Sequence, residues 1–384
     1  MKYELRQYDK VLMSFFVNYK GLDVVSYEID EISQEYRHLL PIGMTPDADG
    51  VKKWLAERTI PKNREYVDRI LAQSGLSHSD TMGIINLCKG LSLNDSYWVV
   101  EAGFNGKFAD YNLYDNNFTR TLALIAYTGY GSNTKKGFTS SPEYTTNGML
   151  KKCWRRINGK IYLYKGGTTG AANTGNEPYS EFYASEIAET MGIKHVAYNL
   201  AKWKGTLCST CELFTDINTS YVPIHRFLPE SGLSVTAKFL KSLGNVYYEA
   251  FADMLVFDAL IYNTDRHYGN FGLLVDNKTN KPISFAPIFD NGLSLFNYAM
   301  DDDIENLKEY AKTRFSAFNA PYEEIVKEFV TEKQREKLRK MINFKFKKHP
   351  RYNLPNKRLK AIERFLQLRV QELLEIKIKC VKFL

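Results

Sequence analysis

Asp265, Asn270 and Asp290 are the residues of this 384-residue chain whose types and spacing could do chemistry. They fall in the runs N-T-D-R-H-Y-G-N-F-G (263–272) and A-P-I-F-D-N-G (286–292), each where an apolar stretch gives out. Element ends are where polar groups converge on a ligand while packed elements hold them still. Two acids and an amide suit phosphoryl transfer. One carboxylate receives the proton of the attacking hydroxyl, and an amide with a second carboxylate holds magnesium against the phosphates.

The elements that must position them surround them in sequence. An apolar helical stretch (Met254, Leu255, Val256, Leu260, Ile261) leads in, and a strand-like run (Phe271, Leu273, Leu274, Val275) leads out. A turn at Asp276-Asn277-Lys278 then precedes a second apolar run, Ile283 to Phe289. Asp265 stands five residues before Asn270, the interval between catalytic base and metal-binding Asn in protein kinases. That interval alone recurs by chance in chains of this length. A second Asp after an apolar strand, with His267 between, sets this instance apart. Kinases of the D-F-G type open their next hairpin with Asp, whereas this chain reads F-D-N-G.

Upstream, the strand K-I-Y-L-Y-K ends on Lys165, which alternates out of the pleat as the ATP-binding lysine of V-A-I-K strands does. A lysine there neutralises phosphate charge and needs a carboxylate from a neighbouring helix. The helix expected over 177–191 offers Glu177, Glu181, Glu186 and Glu189. Before the strand, T-T-N-G-M-L-K-K-C-W (145–154) is a loop of small residues and lysines, able to lay backbone N–H groups on phosphates. No G-x-x-x-x-G-K-[ST] motif occurs.

These runs together resemble the HipA-like serine/threonine kinases, bacterial kinases known as toxins of toxin–antitoxin pairs. The match is dense across 263–292 and looser over roughly 140–300. W-L-A-E-R-T-I-P-K-N-R and K-G-L-S-L-N-D-S-Y-W resemble the N-terminal parts of the same proteins. The resemblance implies an α+β, bilobal protein-kinase-like domain with an N-terminal accessory module and a helical C-terminal part. It implies ATP and Mg2+ as cofactors, with Asp265 as general base or hydroxyl-orienting group and His267 structuring the loop. Asn270 and Asp290 would hold magnesium, and Lys165 the nucleotide. Glu181, eleven residues before Gly192, would be the ion-pair glutamate of Lys165, and Gly148 with Lys152 would match a G-x-x-x-K phosphate loop. A protein serine or threonine is the implied acceptor, with autophosphorylation and an antitoxin partner. A small-molecule or lipid kinase shares the same residues. A nucleotide-binding pseudokinase and a DNA-associated regulator are the other readings.

Length and composition fit this class. The chain exceeds the size at which a single core stops growing, so several subdomains are expected. The scheme is an accessory module over 1–130, a connector over 131–142, a nucleotide-binding lobe over 143–228 and a helical lobe over 229–384. A hydrophobic fraction of 44% and a charged fraction of 25% are ordinary for a globular chain. Apolar runs fall short of a membrane span, and M-K-Y-E-L-R-Q-Y-D-K lacks the apolar core of a secretion signal, so a cytoplasmic place is expected. Cys208-Ser-Thr-Cys211 lies in an alternating run and reads as core strand rather than metal site.

The net charge of +8 is uneven, with 17 lysines and arginines against 5 acids from 331 to 384. That segment is a candidate contact for DNA or an acidic partner. It also carries Leu359, Ile362, Leu366, Val370, Leu373 and Leu374 at helical spacing, which predicts a packed helix with a solvated basic face. Asp301-Asp302-Asp303 is expected to open a helix, where negative charge meets the dipole.

Overall fold

A computed structural model describes residues 1–21, 23–131, 141–170 and 173–377. Most of the connector expected over 131–142 lies outside the described residues. The chain divides into two compact units. The first comprises Met1–Lys165, Glu212–Val222 and Leu273–Ile283, the second Gly166–Cys211, Pro223–Gly272 and Ser284–Leu384.

The first unit is built on an antiparallel sheet of β1 (Lys2–Gln7), β2 (Lys10–Lys20), β3 (Asp23–Ile32) and β4 (Tyr97–Glu101), in the order β3-β2-β1-β4. Alternation along β1 buries Tyr3, Leu5 and Gln7 on one face. That face packs against Val51, Trp54 and Leu55 of the helix Ala48–Glu57 and against Met82 and Ile85 of the helix Thr81–Cys88. Asp47 and Asp80 cap these helices by accepting from the amides of Gly50 and Gly83. Trp98 and Val100 anchor a second cluster with Leu91, Leu93, Phe108 and Ile161. Ile161 belongs to the hairpin Lys152–Ile157/Lys160–Gly166, so the lysine-bearing hairpin shares a core with this module.

The two N-terminal stretches singled out in the sequence are tied to each other. Arg58 of the first makes a bidentate pair with Asp95 of the second (2.7 and 2.9 Å), and its guanidinium lies 4.5 Å from the Trp54 ring. The first unit also grips the hairpin that links Asn270 to Asp290. At its turn, Asn280 Nδ2 donates to the carbonyls of His38 (3.1 Å) and Leu40 (2.8 Å), and buried Asn277 donates to Ile217 (3.0 Å).

In the second unit, the helix Asn245–Ile261 is buried on every side from Phe251 onward, as an apolar stretch without a polar face must be. It packs against the helices Leu233–Leu243, Tyr322–Phe329, Glu332–Arg339 and Asn356–Glu375. The last buries Leu359, Ile362, Leu366, Val370 and Leu373 as its spacing predicts. Its basic character is partly internal, since buried Arg358 donates to the carbonyls of Ala299 (2.8 Å) and Phe296 (2.5 Å). Asp301 opens the helix Asp301–Glu305, and Asp303 accepts from the Met300 amide at 2.8 Å, the capping role its acidic run suggests. Cys208 and Cys211 are buried in the strand Thr206–Glu212 and are not joined in a disulfide. That strand turns back onto Tyr198–Trp203 through Lys204 and Gly205, both at positive φ. Among the described residues no helix is long and apolar enough to cross a membrane.

One acid of the helix Glu177–Met191 makes stability depend on pH. Burial pushes the Glu186 carboxyl from 4.5 up to about 7, against a hydrogen bond from the Lys347 amide. A folded pKa above the unfolded one means that the folded state holds the extra proton. The stability this contributes is present below pH 4.5 and lost as pH rises through about 7. Melting temperature should therefore decline across that window, and Glu186→Gln should flatten the decline. The half-buried position keeps the effect under about 3 °C.

Candidate active site

The loop that carries Asp265 begins where the buried helix stops. Tyr262 takes a left-handed conformation (φ 52°), and the Asn263 amide closes back on the Asp258 carbonyl at 3.0 Å. The side chain of Asn263 accepts from the Asp265 amide (3.0 Å). The Asp265 carbonyl accepts from the His267 amide (2.8 Å) and from Asn270 Nδ2 (3.0 Å). Asp265 and Asn270 are thus joined directly. Because the Asn270 amide nitrogen is spent on that carbonyl, its oxygen is the atom left to coordinate. His267 is exposed and accepts from the Gly269 amide through Nδ1 (3.0 Å), so it shapes the loop from outside.

Arg266, between the two, is 1% exposed and organises the whole site. Its guanidinium meets Asp258 through Nε (2.9 Å) and Nη2 (3.1 Å). Nη1 reaches the carbonyls of Asn270 (3.0 Å) and Phe289 (2.6 Å), and Nη2 the Asn291 side chain (2.5 Å). One planar fork therefore holds the helix, the Asp265–Asn270 loop and the segment on both sides of Asp290. Burial opposes its charge, but the carboxylates of Asp258, Asp290 and Glu181 outweigh burial and hold its pKa above the ordinary value. Beside it, the Thr264 amide donates to the Leu293 carbonyl (3.1 Å), running the two loops side by side.

Asp290 sits in the left-handed region (φ 56°), and its amide donates to the Tyr198 hydroxyl at 3.2 Å. Burial, with the nearby carboxylates of Glu181 and Asp290, holds the Tyr198 hydroxyl well above its usual pKa, so it stays protonated. Glu181 is fully buried and accepts from the Asn291 amide at 2.7 Å. Glu177 instead accepts from the Thr168 amide (3.1 Å) and hydroxyl (2.7 Å) and from the Tyr298 hydroxyl (3.0 Å). The second unit thus brings Asp265, Asn270, Asp290 and Glu181 together around Arg266 and Tyr198. Asp253 stands apart, bound to Gln334 (2.9 Å) and Lys337.

Lys165, Lys152 and Gly148 belong to the first unit. Lys152 and Lys165 face each other across the hairpin. Lys152 is buried and donates to the Asn147 carbonyl at 2.8 Å. Gly148 adopts φ +94°, and a β-carbon there would collide with that ammonium. The loop is anchored from the N-terminal module, which sequence reasoning left without a role. Buried Arg64 pairs with Glu143 (2.9 Å) and donates to the carbonyls of Thr146 (3.2 Å) and Lys152 (2.8 Å). Glu65 donates its amide to the Met149 carbonyl (2.8 Å) and accepts from the Lys151 amide (3.2 Å).

Among the described residues no group of three or more His, Cys, Asp or Glu side chains is placed to hold a metal alone. One amide oxygen and one carboxylate suit magnesium that keeps waters and takes phosphate oxygens as its remaining ligands.

The fold is α+β and protein-kinase-like. It is shared with HipA of Shewanella oneidensis MR-1, solved in complex with HipB and operator DNA. That match covers 98% of this chain and 100% of that one at 12% identity, with a TM-score of 0.54. The family model for HipA-like kinases matches residues 146–368, and the chain belongs to that family. The serine/threonine-protein kinase CtkA of Helicobacter pylori is 29% identical over 198 residues, 47% of this chain and 58% of that protein. The chain thus spans a little over half the length of this relative. The crystal structure of a Helicobacter pylori CtkA aligns over 59% of this chain and 90% of that one at 21% identity, with a TM-score of 0.45.

Proposed function

We propose that the protein transfers the γ-phosphoryl group of ATP, with magnesium, to a serine or threonine hydroxyl of a protein. The observation that carries this is the Arg266 fork, which bonds at once to the carbonyls of Asn270 and Phe289 and to the Asn291 side chain. It fixes the Asp265–Asn270 loop against the Asp290 turn through two backbone carbonyls and one amide side chain. Asp265 is assigned as the base that receives or orients the acceptor proton, and His267 holds the loop's shape through Gly269. The Asn270 oxygen and the Asp290 carboxylate are assigned to magnesium, whose charge would offset that of the phosphates. Glu181 and Tyr198 then act as supports, since both bond to the backbone of the Asp290 turn. Lys165 and the 145–152 loop are assigned to the nucleotide phosphates.

The choice of a protein hydroxyl over a lipid or sugar is supported by the likeness to CtkA, a serine/threonine-protein kinase. The test is mass spectrometry after incubation with magnesium and ATP, offering protein, lipid and sugar acceptors side by side. Phosphoserine or phosphothreonine on protein, including on this chain, is the expected product. Phosphate found on a small molecule alone would replace the reading. Gly148→Ala offers an independent check. It strains a left-handed position by about 1–3 kcal/mol and displaces the Lys152 ammonium. Affinity for a fluorescent ATP analogue should fall by about tenfold.

Use of ATP fits a cytoplasmic place. An antitoxin partner and DNA belong to this proposal by family likeness, as the Shewanella HipA was solved with both. The basic segment offers exposed Lys333, Lys347 and Lys348 for such contacts. Charge reversal there, rather than deletion, is the proper test, because its helices pack on the buried helix Asn245–Ile261.

A further inference from the structure

A cavity of about 330 Å³ opens in the second unit behind the loop that carries Asp265. Its volume is at the small end of what ligand sites use. Tyr262, Tyr322 and Phe365 form an aromatic floor, with the Tyr262 ring 4.9 Å from Tyr322 and 5.5 Å from Phe365. Phe315 stands at the mouth and is 66% exposed, an apolar ring with no burial to account for it. These faces suit a small flat apolar body.

The charges around the mouth select its sign. The two acids that line it, Glu323 and Glu372, are both engaged by Arg369 Nη1, at 2.6 and 3.2 Å. Lys308 reaches Glu372 only at 3.9 Å, Lys312 is tied to Glu309 outside the lining, and Arg314 lies over the Tyr310 ring. Even with Glu309 set against Lys312, four cations face three acids, and the surplus positive charge favours an anion.

We propose that this cavity binds a small aromatic carboxylate, and that its occupancy is transmitted to Asp265 through Asn263. The connection is short. The Tyr322 hydroxyl donates to the Asn263 carbonyl at 2.7 Å, and the Asn263 side chain accepts from the Asp265 amide at 3.0 Å. Tyr262 is the left-handed residue at which the buried helix becomes the loop. A second link lies just beyond the lining, where Phe318, three residues past Phe315, packs at 5.5 Å on the ring of Tyr268 in the Asp265 loop. A ligand that moves Tyr322 or Phe315 thereby shifts the residues that orient Asp265. The regulatory half of this inference rests on the kinase reading, whereas the binding half does not.

The test is saturation-transfer NMR on the full chain with benzoate, phenylpyruvate and indole-3-acetate. Benzamide serves as the uncharged match, and magnesium with a non-hydrolysable ATP analogue is present at saturation. The carboxylates should bind, and benzamide about tenfold more weakly. Ala311→Phe, which fills the cavity, should abolish binding. The rim double variant Lys312→Glu/Arg314→Glu should weaken it about tenfold while leaving the circular dichroism spectrum unchanged. Saturating carboxylate should also change the rate of phosphotransfer by at least about twofold. Absence of binding at millimolar carboxylate, equal binding of benzamide, displacement by the nucleotide analogue, or indifference to rim reversal would each overturn the site. Binding by a wild-type protein without phosphotransfer would overturn the kinase reading and the coupling, leaving the site itself supported.

Discussion

Asp265→Asn should slow phosphotransfer by about 10²–10³-fold or more while barely moving the melting temperature. The two expectations have separate causes. The amide of Asp265 bonds to the Asn263 side chain, and its carbonyl takes the bonds from His267 and Asn270. These loop-building bonds run through the backbone, so an isosteric amide preserves them. What is lost, on the proposed assignment, is the negative charge that would draw the proton from the acceptor hydroxyl. Single-turnover transfer from labelled ATP, paired with a thermal melt of the same sample, separates chemistry from folding. Near-wild-type turnover would show that Asp265 is not the base.

Arg266→Met should be the most destabilising single change in the second unit. It removes the partner of Asp258, leaving a buried carboxylate uncompensated, and it strips donors from the Asn270 and Phe289 carbonyls. Breaking one half of a buried ion pair costs about 3–5 kcal/mol, or a fall of about 10 °C in melting temperature. Arg266→Lys keeps a charge but not the fork, so it should recover only part of the loss. Combining Arg266→Met with Asp258→Leu removes the stranded charge and should melt above Arg266→Met alone. Activity should stay low in the double variant, because the fork no longer ties the Asp290 turn to the loop and the Thr264–Leu293 bond is left to do so. Recovery of full activity in that variant would show that Arg266 holds the fold and not the site.

What the sequence made legible here is what local spacing encodes. Asp265, Asn270 and Asp290 could be read because each lies at the end of an apolar run and the intervals between them are short. The helix Glu177–Met191, ended by left-handed Gly192, and the apolar ridge of Asn356–Glu375 carry their period in plain view. The supports were not legible in the same way. Buried arginines leave no periodic trace, since arginine is usually exposed. The bond from Arg64 to Glu143 spans 79 residues, and the one from Asn291 to Glu181 spans 110. Nothing in a single sequence joins such positions. Asp253 and Asp258 stand five apart on one helix, and spacing alone does not say which of them meets Arg266. The fold gives Asp258 to Arg266 and Asp253 to Lys337 and Gln334, a choice set by which face turns inward.

One amide and one carboxylate, brought to a common place by Arg266, form the proposed magnesium site. A crystal structure with magnesium and a non-hydrolysable ATP analogue tests this most directly. The account predicts the metal at about 2.0–2.1 Å from the Asn270 side-chain oxygen and from an Asp290 carboxylate oxygen, with phosphate oxygens and water completing its shell. A metal–nucleotide complex bound with neither residue as ligand would contradict it.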